Sequence, residues 1–120
     1  MAVKTKPLPS QAELRKLLDY VDGKLYWKYR PQAMFTTARA WKSWNARFAG
    51  REALCSTNKA GTVLGVLNGD VVIAARVVWK MHHGTEPTLL RHKNGDAADN
   101  RIENLIACQR LVPRAGAADA

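Results

Sequence analysis

The sequence predicts an α+β domain, and three observations carry that expectation. Ser10 followed by Glu13 is a capping-box start to a run with Leu14, Leu17, Leu18 and Val21 at helical spacing. Asn68-Gly69 sits between two apolar, β-branched segments, the strongest short-range hairpin signal because a type I′ turn needs positive φ at both positions. Leu89 to Leu105 reads as a strand ending at His92, a polar loop through Asn94-Gly95-Asp96 and Asp99-Asn100, and a return that places Asn104 near His92.

Taken in order, Met1 to Pro9 is expected to be a loose basic arm, with two lysines and two prolines. Gln11 to Tyr20 is predicted as an amphipathic helix stopped by Asp22-Gly23, and Lys24 to Tyr29, alternating and aromatic, as a strand. Trp41, Trp44 and Phe48 sit three and four apart, which predicts a short helix packing its aromatic face on the core. With Arg39, Lys42 and Arg47 nearby, stacking of those rings on bases is the alternative. Ser56 to Gly61 reads as a loop, Thr62–Leu67 and Asp70–Ala75 as the hairpin strands, and Arg76 to His83 as a helix ended by Gly84. Lys80, His82 and His83 suit that helix C-terminus. As helix neighbours the two histidines point in different directions, so they predict no metal pair. Ile106 to Leu111 begins a second strand or a helix, and Pro113 and Gly116 argue against a long final helix. The expected layout is an arm over 1–9, one domain over 10–112 and a frayed tail over 113–120.

Composition narrows the function. The 120 residues carry 19 Lys and Arg against 10 Asp and Glu, a formal charge of +9. The cations look dispersed rather than confined to a tail, which favours a nucleic acid or another polyanion as partner. Cys55 and Cys108 form no CxxC pair, so neither a zinc ribbon nor a disulfide scaffold is predicted. No apolar run approaches the roughly 18–20 residues that span a bilayer, and MAVKTKPLPS does not read as a signal peptide. No membrane association is expected, and the setting is expected to be a reducing cytoplasm.

The Leu89–Leu105 layout resembles the HNH endonuclease family, in the form common among bacteriophage and homing nucleases. The resemblance rests on His92, Asn94-Gly95-Asp96, Asp99-Asn100-Arg101 and Asn104-Leu105, with twelve residues from His92 to Asn104. Upstream, Gly23 to Trp27, Ala49-Gly50, Gly65 with Asn68-Gly69, Ala75 to Trp79, Gly84 and Pro87 look like further landmarks, so it covers roughly Leu14 to Leu105. It implies a ββα-metal core and, for an active enzyme, Mg or another divalent cation on the scissile phosphate. It also implies His92 as the base that activates water and Asn104 as the residue that positions the histidine or the phosphate. A phage-encoded member would work in the host cytoplasm.

Three positions depart from that pattern. Arg91 stands where the family has a metal-binding Asp, Pro113 stands where it has a helix-borne Asn or His ligand, and Ala74-Ala75-Arg76 lacks the usual Ala-His-Arg histidine. A guanidinium is always charged and has no lone pair to give a cation, so no complete metal site is predicted, and Asp96 and Asp99 are the only carboxylates left for one. Arg91, Lys93, Arg101, Arg110 and Arg76, flanked by Arg114, are the expected phosphate contacts. The expectation is nucleic-acid binding with weakened or lost cleavage. The alternatives are an active metal-dependent DNA endonuclease or nickase using His92, and an interaction protein that blocks a host or phage enzyme.

Overall fold

The computed structural model describes residues 8–87 and 89–108. Three helices and eight short strands make up the α+β fold: α1 (Gln11–Leu17), β1 (Leu18–Val21), β2 (Lys24–Trp27), α2 (Ala38–Phe48), β3 (Glu52–Ala53), β4 (Ser56–Thr57), β5 (Val63–Leu67), β6 (Asp70–Ile73), α3 (Ala74–His83), β7 (Leu89–His92) and β8 (Leu105–Cys108). The strands form three small antiparallel sheets, β1-β2-β3, β4-β5-β6 and β7-β8. No helix among the described residues is long and apolar enough to cross a membrane.

The core gathers around α3. Its Val77 and Val78 are fully buried, and Leu14 and Leu17 of α1, Leu18, Leu67 and Leu105 pack in the same cluster. The two helices are also joined through polar groups. The side chains of Gln11 and Arg15 donate to the Met81 carbonyl at 3.0 and 2.9 Å, satisfying a last-turn acceptor that the helix itself leaves open. Glu86 accepts from the Leu8 amide and from Lys80 Nζ, both at 3.1 Å, so the arm is docked by residue 8. The rest of the expected arm, residues 1–7, and the expected tail lie outside the described residues, as does the chain beyond Cys108.

Helix α1 is shorter than its periodicity predicts. Ser10 does cap it, accepting from the Glu13 amide at 3.2 Å, yet it stops at Leu17, and Leu18–Val21 pairs with Lys24–Trp27 in register Val21↔Lys24. The reason is the Asp22-Gly23 turn. With φ of 50° and 89° it is a two-residue hairpin turn, which requires extended backbone on both sides and so converts the end of the helical repeat into strand. Strand β2 correspondingly ends at Trp27 rather than Tyr29. Asn68-Gly69 behaves as expected, with φ of 52° and 85°, but β6 ends at Ile73 and α3 begins at Ala74, two residues before the predicted start. Ser56–Thr57, expected as loop, pairs briefly with β5.

Helix α2 forms over Ala38–Phe48, capped by Thr37, but none of its residues is buried. Its aromatic face does not enter the core. Trp44 instead packs edge-on against Trp27 and beside Phe35 and Phe48, and Trp41 packs against Tyr29, a satellite cluster over the end of β2.

The crossing from the first sheet to the second is tight. Leu54, between β3 and β4, is buried with φ of 52°, and it lies against Gly65 of β5. A Cβ at residue 65 would stand 2.6 Å from Leu54 Cα, a backbone atom that cannot rotate away. Gly65→Ala is therefore expected to cost about 1–3 kcal/mol through overpacking and to lower the thermal midpoint by several degrees. A melt indistinguishable from the parent's would refute this close approach.

Candidate functional site

The site begins with the β7–β8 ribbon. His92 pairs with Leu105 at the open end of the ladder, and the Lys93 amide donates to the Asn104 carbonyl at 2.8 Å, so the loop from Lys93 to Arg101 closes on itself. Its shape follows from short polar side chains that fold back on the backbone two residues ahead. Asn94 Oδ1 accepts from the Asp96 amide, and Asp96 Oδ1 accepts from the Ala98 amide, both at 2.9 Å.

Asn104 is the clip of this loop. It is buried, and its carboxamide donates to Asn94 Oδ1 at 3.0 Å and to the Asp99 carbonyl at 2.9 Å while accepting from the Asn94 amide at 3.2 Å. The twelve-residue spacing thus brings Asn104 beside His92 through the backbone, while its side chain faces into the loop. The ring of His92 has a different partner. Its Nε2 lies 2.8 Å from Oδ1 of Asn100, eight residues on and 3 % exposed. An amide oxygen accepts, so in this contact Nε2 donates and Nδ1 is the ring nitrogen left without that partner. The sequence marks Asn100 as part of a bend and of the Asp99-Asn100-Arg101 triplet of the resemblance, and gives it no role at His92. The available signal was an amide side chain next to Arg101 with no turn of its own to cap.

The predicted cations separate into two kinds. Arg91 and His92 are neighbours on a strand and therefore point to opposite faces. Arg91 is exposed across from the exposed Ile106, whereas His92 is half-buried across from the buried Leu105. The side chains of Arg91 and the exposed Lys93 make no hydrogen bond or ion pair among the described residues. Arg101 does. Its Nε and Nη2 each lie 2.8 Å from an oxygen of Asp99, a bidentate pair. Arg101 and then the Asn94 amide hold the Asp99 carboxyl well below the usual carboxylate range, and Asp99 pushes the guanidinium further up. Arg76 stands in the first turns of α3, half-buried and without a hydrogen bond or ion pair among the described residues. Arg110, Pro113 and Arg114 lie outside them. Of the two other histidines, His82 contacts the Val78 carbonyl and the Tyr20 ring edge, and His83 lies against Trp79.

The loop is held from behind by the first hairpin. Tyr20 Oη accepts from the Ile102 amide at 2.9 Å, at the start of the single helical turn Ile102–Asn104. Gly23 lies directly on the chain at 100–101, where a Cβ would sit 2.7 Å from the Arg101 nitrogen. Beside this contact, Asn100, Ala98, Lys24, Glu52 and Cys55 line a cavity of about 190 Å³.

Among the described residues, the donors around the loop do not fit a divalent cation. No three His, Cys, Asp or Glu side chains converge among the described residues. Both oxygens of Asp99 are engaged by Arg101 and Asn94, Asp96 caps Ala98, and Arg91 offers charge of the wrong sign.

Two outcomes follow. Tyr20→Phe leaves the Ile102 amide without its acceptor and is expected to cost about 1–3 kcal/mol by chemical denaturation. Equal stability of parent and variant would show that water replaces the hydroxyl. Asp99 has a lower pKa folded than unfolded, so its stabilisation is complete above the ordinary carboxylate range and is lost as pH falls through it toward the folded value. The gap in thermal midpoint between parent and Asp99→Asn should therefore be widest near neutrality and narrow below about pH 4. A gap independent of pH would refute the pair's contribution.

Comparison with known proteins fits this geometry. Residues 72–114 match the model of a family described as HNH endonuclease. No curated protein and no solved structure matches the chain. The matched stretch contains α3, β7, the loop with His92, Asn100 and Asn104, and β8. The family that the motif points to is the HNH endonucleases, and residues 72–114 carry its signature.

Proposed function

We propose that this chain is an HNH-type protein that binds DNA through its phosphates and in which metal-dependent cleavage is weakened or lost. The observation that carries this is the distribution of charge around the loop. The carboxylate best placed to serve a cation, Asp99, is already bound at both oxygens, while Arg91 and Lys93 stand exposed without acidic partners. Such a site attracts phosphate and disfavours a divalent ion. Arg101, neutralised by Asp99, acts chiefly in shaping the loop.

A second function, nicking of DNA with His92 as base, is favoured by one observation. The Asn100 contact fixes the imidazole's orientation and leaves Nδ1 as a proton acceptor, as general base catalysis requires.

One pair of assays separates the two. In a gel shift titrated with salt, Arg91→Ala and Lys93→Ala are each expected to weaken duplex binding and to flatten the salt slope by about one. His92→Ala should leave affinity near the parent's. Plasmid incubated with Mg²⁺ or Mn²⁺ should remain largely supercoiled. Robust nicking that disappears in His92→Ala would overturn the weakened-site proposal in favour of the nickase, and no shift by the parent would overturn DNA binding itself.

A further inference from the structure

The positive charge of this protein is not spread evenly. Between Asp22 and Glu52 the chain holds seven of its 19 Lys and Arg and no Asp or Glu. The other twelve cations are nearly balanced by all ten acidic residues. Most of the +9 therefore resides in one stretch, which precedes residues 72–114 and has α2 at its centre.

The helix sorts this stretch into two faces. Trp41, Trp44, Asn45 and Phe48 occupy one side, each half-buried. Arg39, Lys42 and Arg47 occupy the other with Ser43 and Ala46, all exposed. Arg47 leans along the Phe48 ring, its guanidinium carbon 5.5 Å from the centroid, and the side chains of Arg39 and Lys42 have no hydrogen bond or ion pair among the described residues. The residues between the cations are small, so the helix can come close to a surface.

The packed face is tied to the segment that follows β2. Asn45 accepts from the Arg30 amide at 2.8 Å and donates to the Arg30 carbonyl at 2.9 Å, and Trp41 Nε1 donates to that same carbonyl at 2.9 Å. The Arg30 guanidinium lies over Trp44 at 4.1 Å and near Trp27 at 5.5 Å. The rings of Trp41, Trp44 and Phe48 are thus engaged on the side of the helix away from its cations, and the exposed ring of the cluster is Tyr29, beside Trp41.

We infer that the outward face of α2 is a second DNA-binding surface, seated on the phosphate backbone of a duplex and supplying more of the affinity than the HNH loop does. Three exposed cations on one helix face, with no ion pair among the described residues, identify a polyanion. The cationic face itself carries no aromatic ring, which favours a double strand over a single one, since binding of single strands relies on aromatics set among the cations. Arg39 to Arg47 spans about 12 Å of helix, which covers three to four phosphates of one strand at about 3.4 Å of axial rise each. The surface also has a fixed place relative to the loop. Helix α2 packs at the Trp27 end of the β1–β2 hairpin, and Gly23 at its turn touches the loop at Asn100 and Arg101. The four residues of β2 separate these two contacts by roughly 13 Å along the strand. This surface rests on the DNA-binding function proposed above and extends it.

The test compares gel shifts of full-length protein on a random-sequence duplex over a salt series. Arg39→Ala/Lys42→Ala/Arg47→Ala keeps a good helix former at each position, and circular dichroism confirms that it folds. It is expected to bind at least about tenfold more weakly near 0.1 M salt, with a salt slope flatter by close to three. Arg91→Ala/Lys93→Ala should lose less. A triple variant that binds like the parent, while the loop variant fails, would overturn the α2 surface and leave DNA binding by the loop intact. No shift by the parent would overturn both. A parent that prefers single-stranded DNA or RNA to the duplex would overturn the duplex assignment. Equal loss from Lys59→Ala, an exposed cation outside α2, would reduce the effect to net charge and overturn it too.

Discussion

The contact between the first hairpin and the loop is the constraint on which the rest of the structure depends. Tyr20 lies between α3 and the start of the Ile102–Asn104 turn, touching His82 with its ring edge and the Ile102 amide with its hydroxyl. Gly23 brings its backbone onto residues 100–101, closer than any side chain would permit. The two partners are about eighty residues apart in sequence. Through them, the position of Asn100, and with it the orientation of His92, is set by an N-terminal element outside the matched family segment. A hydrogen-bonded loop of this size does not hold one conformation by its internal bonds alone. Here a packed hairpin, itself rooted in Leu18 and Leu25 of the core, supplies the missing restraint.

What could be read from the sequence divides along physical lines. Features determined by nearest neighbours were legible: the Asn68-Gly69 turn, the Ser10 cap, the end of β7 at His92 and the return at Asn104. Features that required a choice between two local signals were less so. Leu14 to Val21 satisfies a helical repeat, but Asp22-Gly23 demands a hairpin, and the turn prevailed because pairing with Lys24–Trp27 satisfies backbone groups that a frayed helix end would leave open. The α2 aromatics have the spacing of core residues, yet their partners Trp27, Tyr29 and Phe35 come from a neighbouring segment. Nothing in the spacing distinguishes a satellite cluster from the core. At the site, His92 and Asn104 were visible as a pair in space. The bond from His92 to Asn100 was not, because the chain at Asn100 is placed by its contact with Gly23, far off in sequence.

The loop also shows how one sequence motif can serve two different ends. Asn94, Asp96, Asp99 and Asn104 are polar residues of the kinds used to hold ions and phosphates, yet here nearly all their capacity goes into one another and into backbone amides. Arg101 belongs to this internal network through Asp99. Arg91 and Lys93 are exposed and stand outside the network, Arg91 by the alternation of the strand and Lys93 by the start of the loop. The shape of the loop thus depends on Asn94, Asp96, Asp99, Arg101 and Asn104 and not on the side chains of Arg91 and Lys93.

The grip of Asn45 and Trp41 on Arg30 carries a consequence for how this protein can change over time. Helix α2 is fixed by main-chain hydrogen bonds and a stacked guanidinium at the end of β2, and none of its residues is part of the buried core. Substitutions on its outer face therefore leave the determinants of folding untouched. That face can vary, within the limits of helix propensity, without disturbing the buried core. Such a helix is an adjustable handle on a scaffold that is otherwise costly to alter.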